Sequence, residues 1–421
     1  MDYSLQFTRM WNESSNSFPI GLQFFDVSEK KLKEIQFEHF QEKLNAELKG
    51  PARPIAPKDN RHLIHLLSVF FKNIAGYPEN LIEVMFSEGM TDSTSSFIRT
   101  AREFDPEISF PDLFQAIRNV WIMNGLQFVM GNKVCLTPPI YAYSMLYPYT
   151  DNYLDDPSAS FQEKQEFCIR FGKRLKGEDI RARDEQERKI FRMIEFIEAH
   201  WDRAQYPKVY ESLLGIHDAQ TRSTRLITKS GDLEFNDIFS ICVQKGGMSV
   251  VADGYLVFGD LSPDEEEFFY YYGAYLQLLD DLQDVSTDLS DSLMTAYSSA
   301  GQKEKLDLWL NKTYYLGLKI MGQADRLNSS KVDVFKALMK RSIDLFLIGA
   351  VITNDQYFNK QFVREFEAFS PVSFSFIRKK DRSLSPYQNS LMEQVLKRML
   401  PEKDGLMPEP EVTGGPLATR R

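Results

Sequence analysis

The chain has 421 residues, 43% of them apolar and 26% charged, which is the composition of a folded globular protein. Its net charge of −10 excludes a binder that neutralises nucleic-acid phosphates with clustered Lys and Arg, although an anionic substrate bridged by metal ions stays compatible. Three dispersed cysteines, Cys135, Cys168 and Cys242, form neither a disulfide framework nor a zinc motif, and none of the five histidines sits in an HExxH pattern. Aromatic residues reach 13%, with 32 Phe and 19 Tyr. They fit either an aromatic-rich core or a pocket whose π-faces stabilise a passing cation.

In chain order, residues 1–27 read as a polar arm or irregular lead-in. The N-terminus lacks the basic and apolar regions of a secretory signal. With no stretch long enough to span a bilayer, a cytoplasmic location is the default expectation. A helix is expected from an N-cap at Ser28 to Lys49, ended by Gly50-Pro51, followed by a proline-rich loop. Pro111 suits the first turn of a buried helix, and Pro138-Pro139 precede another, with Pro148 predicted to kink it. Amphipathic outer helices follow. An apolar helix, EFNDIFSICVQKGGMSVVADGYLVFG, reads as broken at Gly246-Gly247. Ser262-Pro263-Asp264 and the acids after it mark the start of the next. Helices continue to about residue 366, residues 371–387 form an ordered basic element, and the Pro/Gly-rich tail from Pro401 is expected to be disordered. There is little strand signal and no fixed repeat. The expectation is an all-α chain, with residues 1–60 as an arm and helix, 61–400 as one domain and 401–421 as a tail.

Two acidic clusters carry the chemistry. The first is Asp151-Asn152-Tyr153-Leu154-Asp155-Asp156, where Asp151 and Asp155 are one helical turn apart. The second is Asp280-Asp281-Leu282-Gln283-Asp284; with Gln277 and Asp288 it forms one helical stripe. A run of acids near a helix end is commonly just a solvated face. Here both clusters follow apolar helices, both contain D-x-x-x-D, and about 130 residues separate them, so they can face each other across a bundle. Paired carboxylates at a buried helix end are costly without a counter-charge, and oxygen-only ligation is the Mg²⁺ style. Candidate cations for a diphosphate are Arg170, Lys173 and Arg174, which fit a charged outer helix equally well, and Lys245, isolated in its apolar helix beside the glycine pair.

These residues resemble the class I isoprenoid (terpene and prenyl) synthases. GAYLQLLDDLQDV is similar to their second aspartate-rich motif, with Gln277, Asp280, Asp281 and Asp284 matching position by position. QKGGMSVVADGYL resembles their lysine-bearing helix, with Lys245 at the lysine. TDNYLDD resembles the first motif with Asn152 in place of an Asp, in the style of bacterial large-terpene (tetraprenyl-β-curcumene) synthases. The likeness spans roughly residues 110–300. The Arg-Arg-Gly of elongating trans-prenyltransferases is missing, and Asn236, Ser240 and Gln244 only approach the cyclase metal triad.

The resemblance implies antiparallel helices around a central apolar cavity. Asp151, Asp155, Asp280 and Asp284 would hold more than one Mg²⁺, with Asp156 and Asp281 as direct or supporting ligands. Lys245, Gln277 and one or more of Arg170, Lys173 and Arg174 would bind the diphosphate of a prenyl substrate. The implied activity is a terpene synthase that ionises an allylic diphosphate and releases pyrophosphate. A chain-elongating or head-to-head prenyltransferase is the near alternative, and a non-catalytic prenyl-binding scaffold the distant one. A lipophilic substrate or product leaves room for peripheral membrane contact, and the oligomeric state, homodimer included, stays open.

Overall fold

A computed structural model describes residues 3–49, 60–155, 159–227, 233–384 and 394–395. The expected tail from Pro401 lies outside the described residues. Among those described, the chain is all-α with no strand, only an isolated bridge between Ile227 and Leu293. The first five helices are α1 (Tyr3–Asn12), α2 (Val27–Lys49), α3 (Asn60–Asn73), α4 (Glu79–Met85) and α5 (Glu88–Phe104). Those that form the site follow: α6 (Phe110–Val129), α7 (Pro138–Asp155), α8 (Phe161–Leu175), α9 (Glu185–His200), α10 (Pro207–Ser223), α11 (Phe235–Phe258) and α12 (Pro263–Gln283). The rest are α13 (Val285–Ser290), α14 (Ala296–Gly301), α15 (Asp307–Gln323), α16 (Val332–Thr353), α17 (Lys360–Glu367) and α18 (Phe374–Leu384).

Local signals explain the helix starts. Ser109 caps α6 by accepting from Asp112 N, with Pro111 in the first turn. Ser262 and Glu265 form a reciprocal capping box at α12. At α2 the cap is Asp26 rather than Ser28: Asp26 Oδ1 accepts from the Ser28 and Glu29 amides at 2.7 and 2.9 Å. Pro148 lies within α7, which continues through it.

Two expectations need correction. The lead-in is not an irregular arm: α1 packs against α11, α12 and α15, and Phe7 and Trp11, one turn apart, are buried in the main core. Nor does Gly246-Gly247 break α11, which is continuous from Phe235 to Phe258. The glycines serve packing instead. A Cβ on Gly273 of α12 would meet the Gly246 carbonyl oxygen at 2.2 Å, and one on Gly247 would meet the Tyr270 ring at 2.6 Å. The two helices therefore touch backbone to backbone. The basic element after residue 371 becomes α18, which docks on α2: the Ser373 amide donates to Glu34 at 2.9 Å, and Lys380 pairs with Glu38 at 3.4 Å.

The aromatic residues fill the interior. Phe268, Phe269, Tyr271, Tyr272 and Tyr275 on α12 are all buried, and stacked or tilted ring pairs run throughout the core. No helix among the described residues is long and apolar enough to cross a membrane.

Overpacking at the glycine contact gives a first prediction. Gly273→Ala should destabilise the fold by about 1–3 kcal/mol or more, because backbone rather than a flexible side chain must give way. Gly322→Ala, where nothing among the described residues lies within 4 Å, should not. Urea unfolding of both variants checks this; equal stability would refute the close contact.

Candidate functional site

α11 packs against α6, α7, α10 and α12 and carries Lys245, which is close enough to the acidic ends of α7 and α12 to feel their charge. Its partly buried ammonium interacts with Asp151 on α7 and with Asp280 and Asp281 on α12, and with the Tyr147 hydroxyl one turn before Asp151. Burial alone would drive the proton off. The surrounding carboxylates and the tyrosine more than offset it, so the ammonium is held above its usual pKa. Tyr147 is itself pushed up to about 12, mainly by burial, with Lys245 opposing. Both clusters therefore meet at one lysine.

Each carboxylate has a distinct setting. Asp151 accepts from the Gln220 side-chain amide of α10 at 3.1 Å and from Gln115 of α6 at 3.4 Å. Asp280, half exposed, pairs with Arg118 of α6 at 3.1 Å. Asp281 is 2% exposed; Gln277 donates to its Oδ1 at 2.8 Å, while among the described residues Oδ2 has no hydrogen-bond partner beyond the weak Cys242 thiol nearby. Burial, helped by Asp280 and Asp288, pushes Asp281 up to about 7. Burial and Asp280 likewise raise Asp284. Asp288, held by Thr295 at 2.8 Å, rises to about 6 through burial and its acidic neighbours.

Asn152 has a structural reason. Its amide donates to Asp112 Oδ1, at the start of α6, at 2.8 Å. An aspartate there would put two carboxylates in contact. The main chain of Asp155 ends α7; its side chain and all of Asp156 lie outside the described residues.

The basic residues of α8 go elsewhere. Arg170 donates to both oxygens of Glu187 at 2.8 Å, and Arg174 to both oxygens of Glu198 at 2.7 and 2.6 Å. Glu187, 1% exposed, needs such a partner, and Arg183 joins it. Lys173 is exposed. Arg170 and Arg174 thus serve the α8–α9 contact rather than either acidic cluster, and no described contact joins Lys173 to either cluster. The cation that hydrogen-bonds Asp280 is Arg118, and its signal was the same as that of Lys245: one basic residue within a largely apolar helix.

Beside Asp151 lies a cavity of about 60 Å³ between α7, α8 and α10. Its walls include Leu146, Phe167, Phe171, Leu213 and Ile216, with Asp151 and Gln220 at the polar side. It is far below the roughly 300 Å³ of a usual small-molecule pocket.

Comparison with family models, with curated proteins and with solved structures finds no match.

The donor set suits a hard dication. It is all oxygen, it includes a buried carboxylate oxygen without a full partner, and its acids repel one another. Among the described residues, no three His, Cys, Asp or Glu side chains converge as a ready-made chelate. Mg²⁺ does not require one, since one or two carboxylates with water and substrate phosphate suffice.

The raised Asp281 sets a pH dependence. The folded chain keeps this proton up to about pH 7, whereas an unfolded aspartate loses it near 3.8, so its ionisation lowers stability as pH rises between those limits. Asp281→Asn keeps an acceptor for Gln277 and removes that loss. In chelator-containing buffer it should exceed wild type by roughly 2–4 kcal/mol at pH 8, with the gap closing by pH 4. A gap independent of pH in urea unfolding would refute the assignment.

Proposed function

We propose that this chain is a class I isoprenoid synthase of the terpene-synthase type, which ionises an allylic prenyl diphosphate and releases pyrophosphate. The observation that carries the reading is that Asp151 and the Asp280-Asp281 pair, far apart in sequence, share Lys245. A surface acidic run has no need of such a partner. A diphosphate end needs acids for metal and cations for the leaving group side by side.

In this reading Asp151, with Asp155 and Asp156 after it, would hold Mg²⁺ on one side, and Asp280, Asp281 and Asp284 on the other. When bound, Mg²⁺ supplies Lewis-acid stabilisation of the departing pyrophosphate. Lys245 and Arg118 add positive charge to the same oxygens; Gln277 holds Asp281 in place. Tyr147 and the apolar walls beside Asp151 shield the allylic cation and exclude water. Bundle geometry around an apolar cavity belongs to this reading too, with the cavity widened from its present size to admit a prenyl chain. The missing Arg-Arg-Gly favours a terpene synthase over an elongase or a head-to-head enzyme.

A non-catalytic prenyl-binding scaffold is the second reading, favoured by the tight packing beside Asp151. Pyrophosphate release from geranyl, farnesyl and geranylgeranyl diphosphates with Mg²⁺ separates the cases. Release without an acceptor is the expected result. Release only with isopentenyl diphosphate means elongation, and binding without release means a scaffold. No release and no binding would sink the proposal. The paired variant Asp280→Asn with Asp284→Asn should lower turnover about 10²-fold or more while circular dichroism stays helical.

A further inference from the structure

The cavity beside Asp151 contains one imidazole. His217 lies on α10 one turn before Gln220, and it lines the same cavity as Tyr143, Leu146 and Phe171. Its ring stands edge-on to Phe171 at 5.1 Å between centroids. Its Nε2 edge lies close against α8: a Cβ on Gly172 would meet Nε2 at 2.9 Å, so the glycine is what lets the ring approach. The imidazole also hydrogen-bonds the Cys168 backbone, a contact that favours its protonated form, so the ring N–H donates to the carbonyl. A neutral imidazole has one N–H. With that proton given to a carbonyl, the other nitrogen carries a lone pair.

The charged and titratable neighbours leave it neutral. On α8 they are the Cys168 thiol and, just past the helix end, Lys176; on α10, Asp218; on α7, across the cavity, Tyr143, Tyr147 and Asp151. Burial dominates and lowers the imidazole from its usual value; the Cys168 and Asp218 contacts only partly oppose this.

We propose that His217 is the proton acceptor that ends the reaction on the hydrocarbon side of this site. This rests on the isoprenoid-synthase reading. Once pyrophosphate has left, the cation next to an apolar wall is neutralised by losing a proton from the adjacent carbon. That C–H bond breaks, its electron pair closes a new C=C bond, and the proton passes to the free imidazole nitrogen. The imidazolium returns the proton to solvent when the alkene leaves. Without a base, water adds to the cation instead: a C–O bond forms, the extra proton goes to solvent, and the product is an alcohol.

The test uses the full chain with Mg²⁺ and whichever of the three prenyl diphosphates gives release. Pyrophosphate and the alkene-to-alcohol ratio are both measured. His217→Gln keeps an amide N–H near the Nε2 position but has no basic nitrogen. It should release pyrophosphate at close to the wild-type rate while its alkene-to-alcohol ratio falls about tenfold or more. The wild-type ratio should fall as pH drops below 6.5, the ordinary imidazole value, and that of the variant should stay flat. In His217→Ala, added imidazole should restore the alkene. Normal release with an unchanged ratio in His217→Gln overturns this proposal alone. Loss of release in a folded His217→Gln also overturns it, because the residue would then act before or during ionisation. No release from wild type overturns the synthase reading, and this inference with it.

Discussion

The Lys245 ammonium sits where two acidic helix ends would otherwise repel each other. Asp151 from α7 and Asp280 and Asp281 from α12 face the same region, and a low-dielectric setting strengthens their repulsion as much as it strengthens attraction to a cation. One lysine keeps its proton against burial because Asp151 above all, then Tyr147 and the acids of α12, act on it. The surrounding contacts follow from that arrangement. Gln115 and Gln220 meet Asp151 with neutral amides, Arg118 meets Asp280 at the rim, and Gln277 steadies Asp281 from within its own helix.

Beneath this end, the core contains a second polar group that is handled differently. Asp253, on α11 two turns below Lys245, is fully buried and accepts from Asn119 at 3.3 Å; Asn119 also reaches Ser144 at 3.2 Å. Among the described residues no cation pairs with it, and burial raises its carboxyl far above the usual range. The same helix thus holds one acid-facing site stabilised by charge and one buried acid that stays neutral. Around both, rings of α12 occupy the volume that the aromatic content had left open between core and pocket.

Much of the fold was legible because its signals are local. Pro111 in the first turn of α6, the start of α12 at Ser262 and the prolines at the head of α7 each depend on residues within a turn or two, whereas the acidic stripe expected on one helix is split: α12 ends at Gln283, Asp284 caps it and Asp288 lies on α13. The failures share a different cause. A glycine pair inside a helix reads the same whether it breaks the helix or admits a neighbour, and only Gly273 and Tyr270 across the contact decide. Arg170 and Arg174 look alike in sequence whether their partner is a phosphate or a glutamate, and Glu187 and Glu198 lie on another helix. α1 was hidden by polar residues between Phe7 and Trp11, although that spacing was the signal. Arg118 had a signal, as the one basic residue of an apolar helix, but its partner Asp280 lies on α12, and His217 became visible only when α10 was set beside α7 and α8.

The glycine contact between α11 and α12 has a consequence for how such a chain can vary. Gly246 abuts both the Gly273 carbonyl and Gln277, so the separation of the two main chains also sets how far Lys245 stands from the acids of α12. The helix pair works as a gauge block. Side chains around the rim can be exchanged while the gap is preserved, but any thickening at the contact shifts the charges and the packing together. Fold tolerance and charge spacing are therefore one mechanical quantity at this point in the molecule.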